Sequence, residues 1–215
     1  MTSHSPKENK PLQSRLPWTP HFILYHKPKG ILVTRKDEKQ RTTVYDALPS
    51  FFLEDGWVPI GRLDKLSRGL LLFTQVGELV DLLTQPGRCE KYYDIVIRGR
   101  ISDANLSDAQ KGIPSDLGFL KVHQVKKIRE IGPKTYLQVI LKEGKNRNIR
   151  RLFHSFNDPH FHTPLKVLDL KRIRIGTLTL VGLPAGGWRF ITASEERQLL
   201  RSVKTYSSTK ISATF

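Results

Sequence analysis

Residues 58–74 read VPIGRLDKLSRGLLLFT, and the four consecutive apolar residues Leu70, Leu71, Leu72 and Phe73 are the strongest constraint on the fold. A short apolar run bounded by Gly69 and Thr74 reads as a buried strand. Burial does not explain the arginine and the acid, Arg62 and Asp64, placed just before it. Loops that carry chemistry are held by rigid elements of this kind. Taken alone, Asp64 is most simply a solvated acid on a surface turn, so its role has to be decided by the rest of the chain.

Charge narrows the choice. The chain of 215 residues carries 36 Lys and Arg against 20 Asp and Glu, for a formal charge of +16. Such a surplus points to a polyanionic partner, with nucleic acid the default and a membrane surface the rival. No stretch approaches the roughly 18 apolar residues of a spanning helix, and the start, MTSHSPKENK, has no apolar core of a leader. A single cysteine, Cys89, precludes an intramolecular disulfide and fits a reducing, cytoplasmic compartment.

The order of local patterns suggests an α+β domain on a mixed, mostly antiparallel sheet with flanking helices. Residues 1–20 are polar and proline-bearing and read as a flexible basic arm. A first strand is expected at residues 21–25, a short one at 31–34, and a brief helix at 43–48 before Pro49. Val76, Leu79, Val80 and Leu83 have helical spacing. Residues 91–98 read as a strand with Lys91, Tyr93, Ile95 and Ile97 on one face. A surface helix over 102–111 and strands over 119–128 and 135–142 follow, the strands joined by a turn at Gly132-Pro133. Residues 166–180 set apolar Val167, Leu168, Leu170, Ile173 and Ile175 against basic Lys166, Lys171, Arg172 and Arg174, which fits a half-buried strand turning at Gly176. Gly186 to Arg189 reads as a turn. Thr192 to Glu195 is a capping-box pattern opening a last helix to about Val203. Residues 205–215 read as a frayed tail.

The second informative stretch is 146–156. On a helix, Ile149, Leu152, Phe153 and Phe156 share one side, and Arg147, Arg150, Arg151 and His154 the other. An exposed helix face normally mixes acids with its bases. This one contains no acid of its own, so it repels itself unless something anionic lies against it.

Several chemistries lack their motifs. There is no phosphate-binding GxxxxGK[ST] loop, no cysteine pair at zinc spacing, no GxSxG elbow and no dinucleotide fingerprint. His154, His160 and His162 lack further ligands nearby, so no metal is expected. What remains is one acid in a basic setting with strand tyrosines. An aspartate can work at a sugar carbon, a neighbouring guanidinium would keep it ionised, and a ring could stack on a base turned out of its helix.

Those residues carry a resemblance. Gly61-Arg62-Leu63-Asp64 with Ser67, Gly69-Leu70-Leu71 and Thr74 resembles the central motif of pseudouridine synthases. The group in question includes the small-subunit rRNA enzyme A and the large-subunit rRNA enzyme E. Tyr25 to Gly30 is similar to that group's lysine–proline turn, and Lys91-Tyr92-Tyr93 to the motif with its tyrosine. Glu143 to Arg151 (EGKNRNIRR) resembles its third motif, and Leu170 to Gly176 with Leu178 and Gly187-Trp188-Arg189 its C-terminal signature. The motifs run in order over residues 21–195.

The resemblance implies isomerisation of a specific uridine to pseudouridine without a cofactor. It implies a mixed sheet crossed by the active-site cleft. It makes Asp64 the acid that attacks or deprotonates the ribose, Tyr93 the residue against the flipped uracil, and Arg150 the partner that holds Asp64 ionised. Arg62 would line the pocket and Lys27 and Pro28 would brace its floor. Lys145, Arg147, Arg151, Lys171 and Arg172 would hold RNA. Asn148, Leu66 and Arg68 depart from the group, which has Gln, a polar residue and Glu there. The expected organisation is a catalytic domain of two subdomains over 21–204. About 20 residues precede its first strand, too few for an S4-type domain, which is the feature of the enzyme-E-like branch. The expected partner is 23S rRNA or a large-subunit precursor, bound by a monomer with no membrane or metal involved. The alternative is a non-catalytic rRNA-binding assembly protein on the same fold.

Overall fold

A computed structural model of the chain describes residues 18–115, 118–144 and 147–204. Nine strands form one sheet in the order β5-β6-β4-β7-β3-β1-β9, with β2 on β3 and β8 on β7. The strands are β1 (Ile23–Lys27), β2 (Val58–Pro59), β3 (Arg68–Thr74), β4 (Lys91–Arg98), β5 (Gln124–Ile131), β6 (Lys134–Leu141), β7 (Lys166–Ile175), β8 (Leu178–Thr179) and β9 (Trp188–Phe190). The helices are α1 (Phe51–Glu54), α2 (Gly77–Thr84), α3 (Asp103–Lys111), α4 (Asn148–His154) and α5 (Ala193–Lys204). Every strand pairing is antiparallel except β3 with β7. The expected α+β fold on a mixed, mostly antiparallel sheet is therefore present.

The apolar run of β3 is the buried strand its composition demands, and both its faces are covered. Leu71 and Phe73 pack with Ile23, Tyr25 and Trp57 on one side. Leu70 and Leu72 pack with Phe22, Leu24, Leu79, Leu83, Leu199 and Val203 on the other, under α2 and α5. A strand buried on both faces reads as continuous rather than alternating hydrophobicity. α5 starts from the capping box: the Glu195 N–H donates to Thr192 Oγ1 at 3.2 Å, and the Thr192 N–H donates to Glu195 Oε2 at 2.7 Å.

The β3–β7 joint is short. Only Arg68 with Lys171 and Gly69 with Arg172 are in register. Gly69 has φ +110°, and a Cβ there would lie 2.2 Å from the Arg172 carbonyl oxygen. Nothing but glycine brings the two backbones this close. Each half of the sheet thus ends at this seam, and the loop before β3 hangs over it.

Local expectations fail where side chains or partners override pattern. Residues 43–48 form a turn, because Asp46 Oδ2 accepts from both the N–H and the hydroxyl of Thr43 and closes a local loop that competes with helix. The helix lies after Pro49 instead, at α1. Residues 31–34 make one bridge, Leu32 with Thr43, having no partner strand to extend along. β5 begins at Gln124 rather than 119, and Trp188 to Phe190 pairs with β1 instead of turning. α4 is seven residues long, shorter than the 146–156 pattern.

β7 departs from simple alternation. Its register against β4 slips twice, leaving Leu168 and Ile173 without partners. Each extra residue reverses the inside-outside order. Val167, Leu170, Arg172 and Ile175 all end on the buried face, and Leu168, expected inside, is 39% exposed. Arg172, expected on the basic outer face, is buried.

Candidate active site

Asp64 sits in a tight turn before β3 whose carbonyls are tied down from below. The Ser67 N–H donates to the Asp64 carbonyl at 2.9 Å. The Lys27 ammonium, at the end of β1 and without solvent exposure, donates to the carbonyls of Ser67 at 2.9 Å, Pro28 at 3.0 Å and Asp64 at 3.3 Å. A buried ammonium is tolerated only when its protons are used in this way. Burial still pulls its pKa down from 10.5 to about 8, against the pull of the Asp64 charge and with the push of Arg172. Lys27 does not line the cleft, and its contacts are to the carbonyls of the turn.

The Asp64 carboxylate points into a cleft of about 310 Å³ that crosses the β3–β7 seam. Its walls include Arg62, Lys91, Tyr93, Arg147, Arg150 and Arg172. Asp64 Oδ2 lies 3.8 Å from Arg150 Nε and 3.9 Å from Arg147 Nη1. The acid that the basic face of α4 lacks within its own helix comes from the loop before β3.

Arg150 is the better fixed of the two. It donates from Nη1 to the Val167 carbonyl at 2.9 Å and from Nη2 to the Leu66 carbonyl at 3.3 Å. Its buried Nε has no hydrogen-bond partner among the described residues and lies on the Asp64 side. Burial lowers the Arg150 pKa and Asp64 raises it. Arg147 caps α4 in the left-handed region at φ +50°, where non-glycine residues are uncommon, and its side chain is half exposed.

The opposite wall comes from β4 and β7. Tyr93 is 6% exposed and Arg172 2%. The two are cross-strand partners, so their side chains share one face, and the bulge at Ile173 is what puts Arg172 there. Arg172 donates from Nε to the Leu70 carbonyl at 2.7 Å, crossing the seam, and its Nη1 lies 3.5 Å from the Tyr93 hydroxyl. Its Nη2 is buried with no hydrogen-bond partner among the described residues. An unsatisfied buried donor costs about 1–3 kcal/mol, so a ligand oxygen in the cleft would relieve it. Lys91 donates to the Cys89 carbonyl at 3.1 Å, and burial lowers its pKa.

The cleft thus gathers Asp64, Tyr93, Arg150, Arg62, Arg147 and Arg172 from the residues expected of a site. Pro28 and Lys171 do not line it, and Arg151 turns away, donating toward Ser115 Oγ at 3.4 Å. Lys145 lies outside the described residues. Lys91 and Asn148 also line it, although no role in the site is expected of either from the sequence. Lys91 had a legible signal, since period two puts it on the face of Tyr93. Asn148 is 2% exposed and donates from Nδ2 to the Lys121 carbonyl at 3.0 Å, while its Oδ1 is buried without a hydrogen-bond partner among the described residues. Arg68 is not free: it and Lys29 both hold Asp169, at 2.7 Å each. Burial opposes the effect of those two bases, but they bring the Asp169 carboxyl down to about 2.

Similarity to known proteins agrees with this geometry. Residues 21–155 match the family described as RNA pseudouridylate synthase. The chain is 39% identical over 168 residues to ribosomal large subunit pseudouridine synthase B of Haemophilus influenzae, covering 77% of this chain and 45% of that protein. It is 35% identical over 184 residues to the protein of the same name in Escherichia coli K12, covering 85% and 60%. The chain therefore spans about half the length of these relatives. The crystal structure of a pseudouridylate synthase superposes with a TM-score of 0.67 at 23% identity, covering 83% of this chain and 73% of that one. The archaeal box H/ACA Nop10–Cbf5 complex gives 0.56 at 16% identity, covering 80% and 52%. With its ordered motifs, its divided sheet and a family match that takes in Asp64, Tyr93 and Arg150, the chain belongs to the RNA pseudouridylate synthase family.

Proposed function

We propose that this chain isomerises a specific uridine of 23S rRNA to pseudouridine. The observation that carries the reading is a carboxylate, Asp64, held by a braced turn at the sheet seam and faced by two guanidinium groups and a buried tyrosine. The large-subunit target is supported by the relatives, which are named as large-subunit enzymes.

The reaction is redox-neutral. The N1–C1′ bond breaks, the base turns, a C5–C1′ bond forms, and a proton leaves C5 while N1 gains one. It calls for no cofactor. Asp64 works at the ribose, as nucleophile or base. Arg150 fixes the carboxylate from the side. Tyr93 lies against the uracil, and Arg172 donates from its unused Nη2 to a carbonyl oxygen of the base. Arg62 and Arg147, both solvent-accessible, meet phosphate. Cleft access requires the uridine to leave its stack.

Residues 21–204 are the catalytic unit in this proposal, and a cytoplasmic setting follows from rRNA as substrate. Placement beside the large-subunit enzyme E was expected from the short segment ahead of the first strand, whereas the relatives above carry the name of enzyme B. Mapping pseudouridines in rRNA from cells without this protein separates the two by position. The activity is tested by tritium release from C5-labelled uridine in 23S rRNA, comparing wild type with Asp64→Asn. Release by wild type and loss of at least a thousandfold in the variant are expected. Tight binding without release by wild type would instead favour a non-catalytic assembly protein on this fold.

A further inference from the structure

A second groove of about 500 Å³ adjoins the cleft and shares Arg147 and Arg150 with it. Its remaining lining divides by chemistry. Leu66, Leu168 and the buried Leu165 and Val167 make an apolar strip, and Lys29, Arg151, His154 and Lys166 make a basic border. No acid lines it.

Two of its apolar side chains are open to solvent. Leu66 is 57% exposed and Leu168 39%. Leu168 is outside because it is the unpaired residue of a β7 bulge. Leu66 is outside because it lies in the turn that carries Asp64, with its carbonyl taken by Arg150. Bulges of this type re-aim a side chain next to active sites. Arg150 spans the partition: it donates to carbonyls of both leucine-bearing segments, at Leu66 and Val167, while its Nε faces Asp64.

We propose that this groove holds an unpaired nucleotide neighbouring the target uridine, its base against Leu66 and Leu168 and its phosphate among Arg151, His154 and Lys166. The inference rests on the proposed function. A flat, apolar base and an anionic link match an apolar strip bordered by Arg151, His154 and Lys166. Continuity with the cleft through Arg147 and Arg150 places the occupant one or two nucleotides from the reacting base. A protein segment would bring carboxylates or nothing to that border, and would not need the shared partition.

The experiment is an abasic scan. Target RNA is made with a single abasic site at each of the two positions on either side of the uridine. Binding to wild type, Leu66→Ser and Leu168→Ser is then measured, alongside tritium release by wild type from intact RNA. Both leucines are exposed, and circular dichroism checks that the variants are folded. One abasic position should weaken wild-type binding roughly tenfold, on the scale of a base packed against a side chain. Each serine variant should bind intact RNA more weakly and lose sensitivity to that same position. If wild type releases tritium and no abasic position couples to either leucine, the inference is overturned and the proposed function stands. If wild type releases none, both fall.

Discussion

Arg150 spends two donors on backbone carbonyls of two different segments and leaves a third toward Asp64. A lysine has one compact charge and no planar fork, so it cannot hold both carbonyls and face the acid at once. On the proposed reading, Arg150→Lys should cut kcat roughly tenfold to a hundredfold, the scale of one lost charge-assisted hydrogen bond, as read by tritium release at saturating RNA. Lys27 offers a test that needs no substrate. Its folded pKa of about 8 lies below the 10.5 of the unfolded chain. Below pH 8 both states carry the charge and the burial cost is fully present. Between pH 8 and 10.5 the folded state binds fewer protons, so this group makes stability rise with pH. The complete rise would be about 3 kcal/mol. Urea titrations of wild type and Lys27→Met should therefore diverge in favour of wild type from pH 8 to 10. A constant difference would mean that the ammonium is not buried as described.

At the scale of elements, the seam between β3 and β7 is the tightest point. Gly69 combines a left-handed backbone with a Cβ position occupied by the Arg172 carbonyl. Gly69→Ala should cost at least about 2 kcal/mol, through strain and the parting of the two backbones, and should lower the denaturant midpoint. Because Arg172 hangs from that contact by its bond to Leu70, activity should fall further than stability alone explains. At α5, loss of the Thr192 cap in Thr192→Ala should cost about 1 kcal/mol, seen as a lower Tm without loss of activity per folded molecule. The contrast between the two variants separates a seam that builds the site from a cap that only holds the second core.

For the whole molecule, the formal charge is +16, and both the cleft and the groove beside it are lined by several arginines. Six phosphate contacts would weaken RNA binding roughly a thousandfold from about 50 to about 200 mM salt. A filter-binding series with flat affinity would contradict this. Among the described residues, no helix is long and apolar enough to cross a membrane.

Much of this was legible in the chain itself. The run at Leu70–Phe73 demanded a buried strand, Thr192–Glu195 demanded a helix start, and the period of 149–156 separated a packing face from an arginine face. Local chemistry suffices for these, because propensity, capping and periodicity act over a few residues. The partners of Asp64 were not legible by distance in sequence: Arg147 and Arg150 are more than 80 residues away, and only the closing of the sheet at Gly69 brings them within 4 Å. The reversal of Arg172 and Leu168 was also hidden, since a bulge is set by the register of two strands and not by either alone. The sequence by itself determined which segments would fold and which acid stood ready. The tertiary structure decided what that acid faces, because the seam, the bulges and the Lys27 brace are long-range contacts.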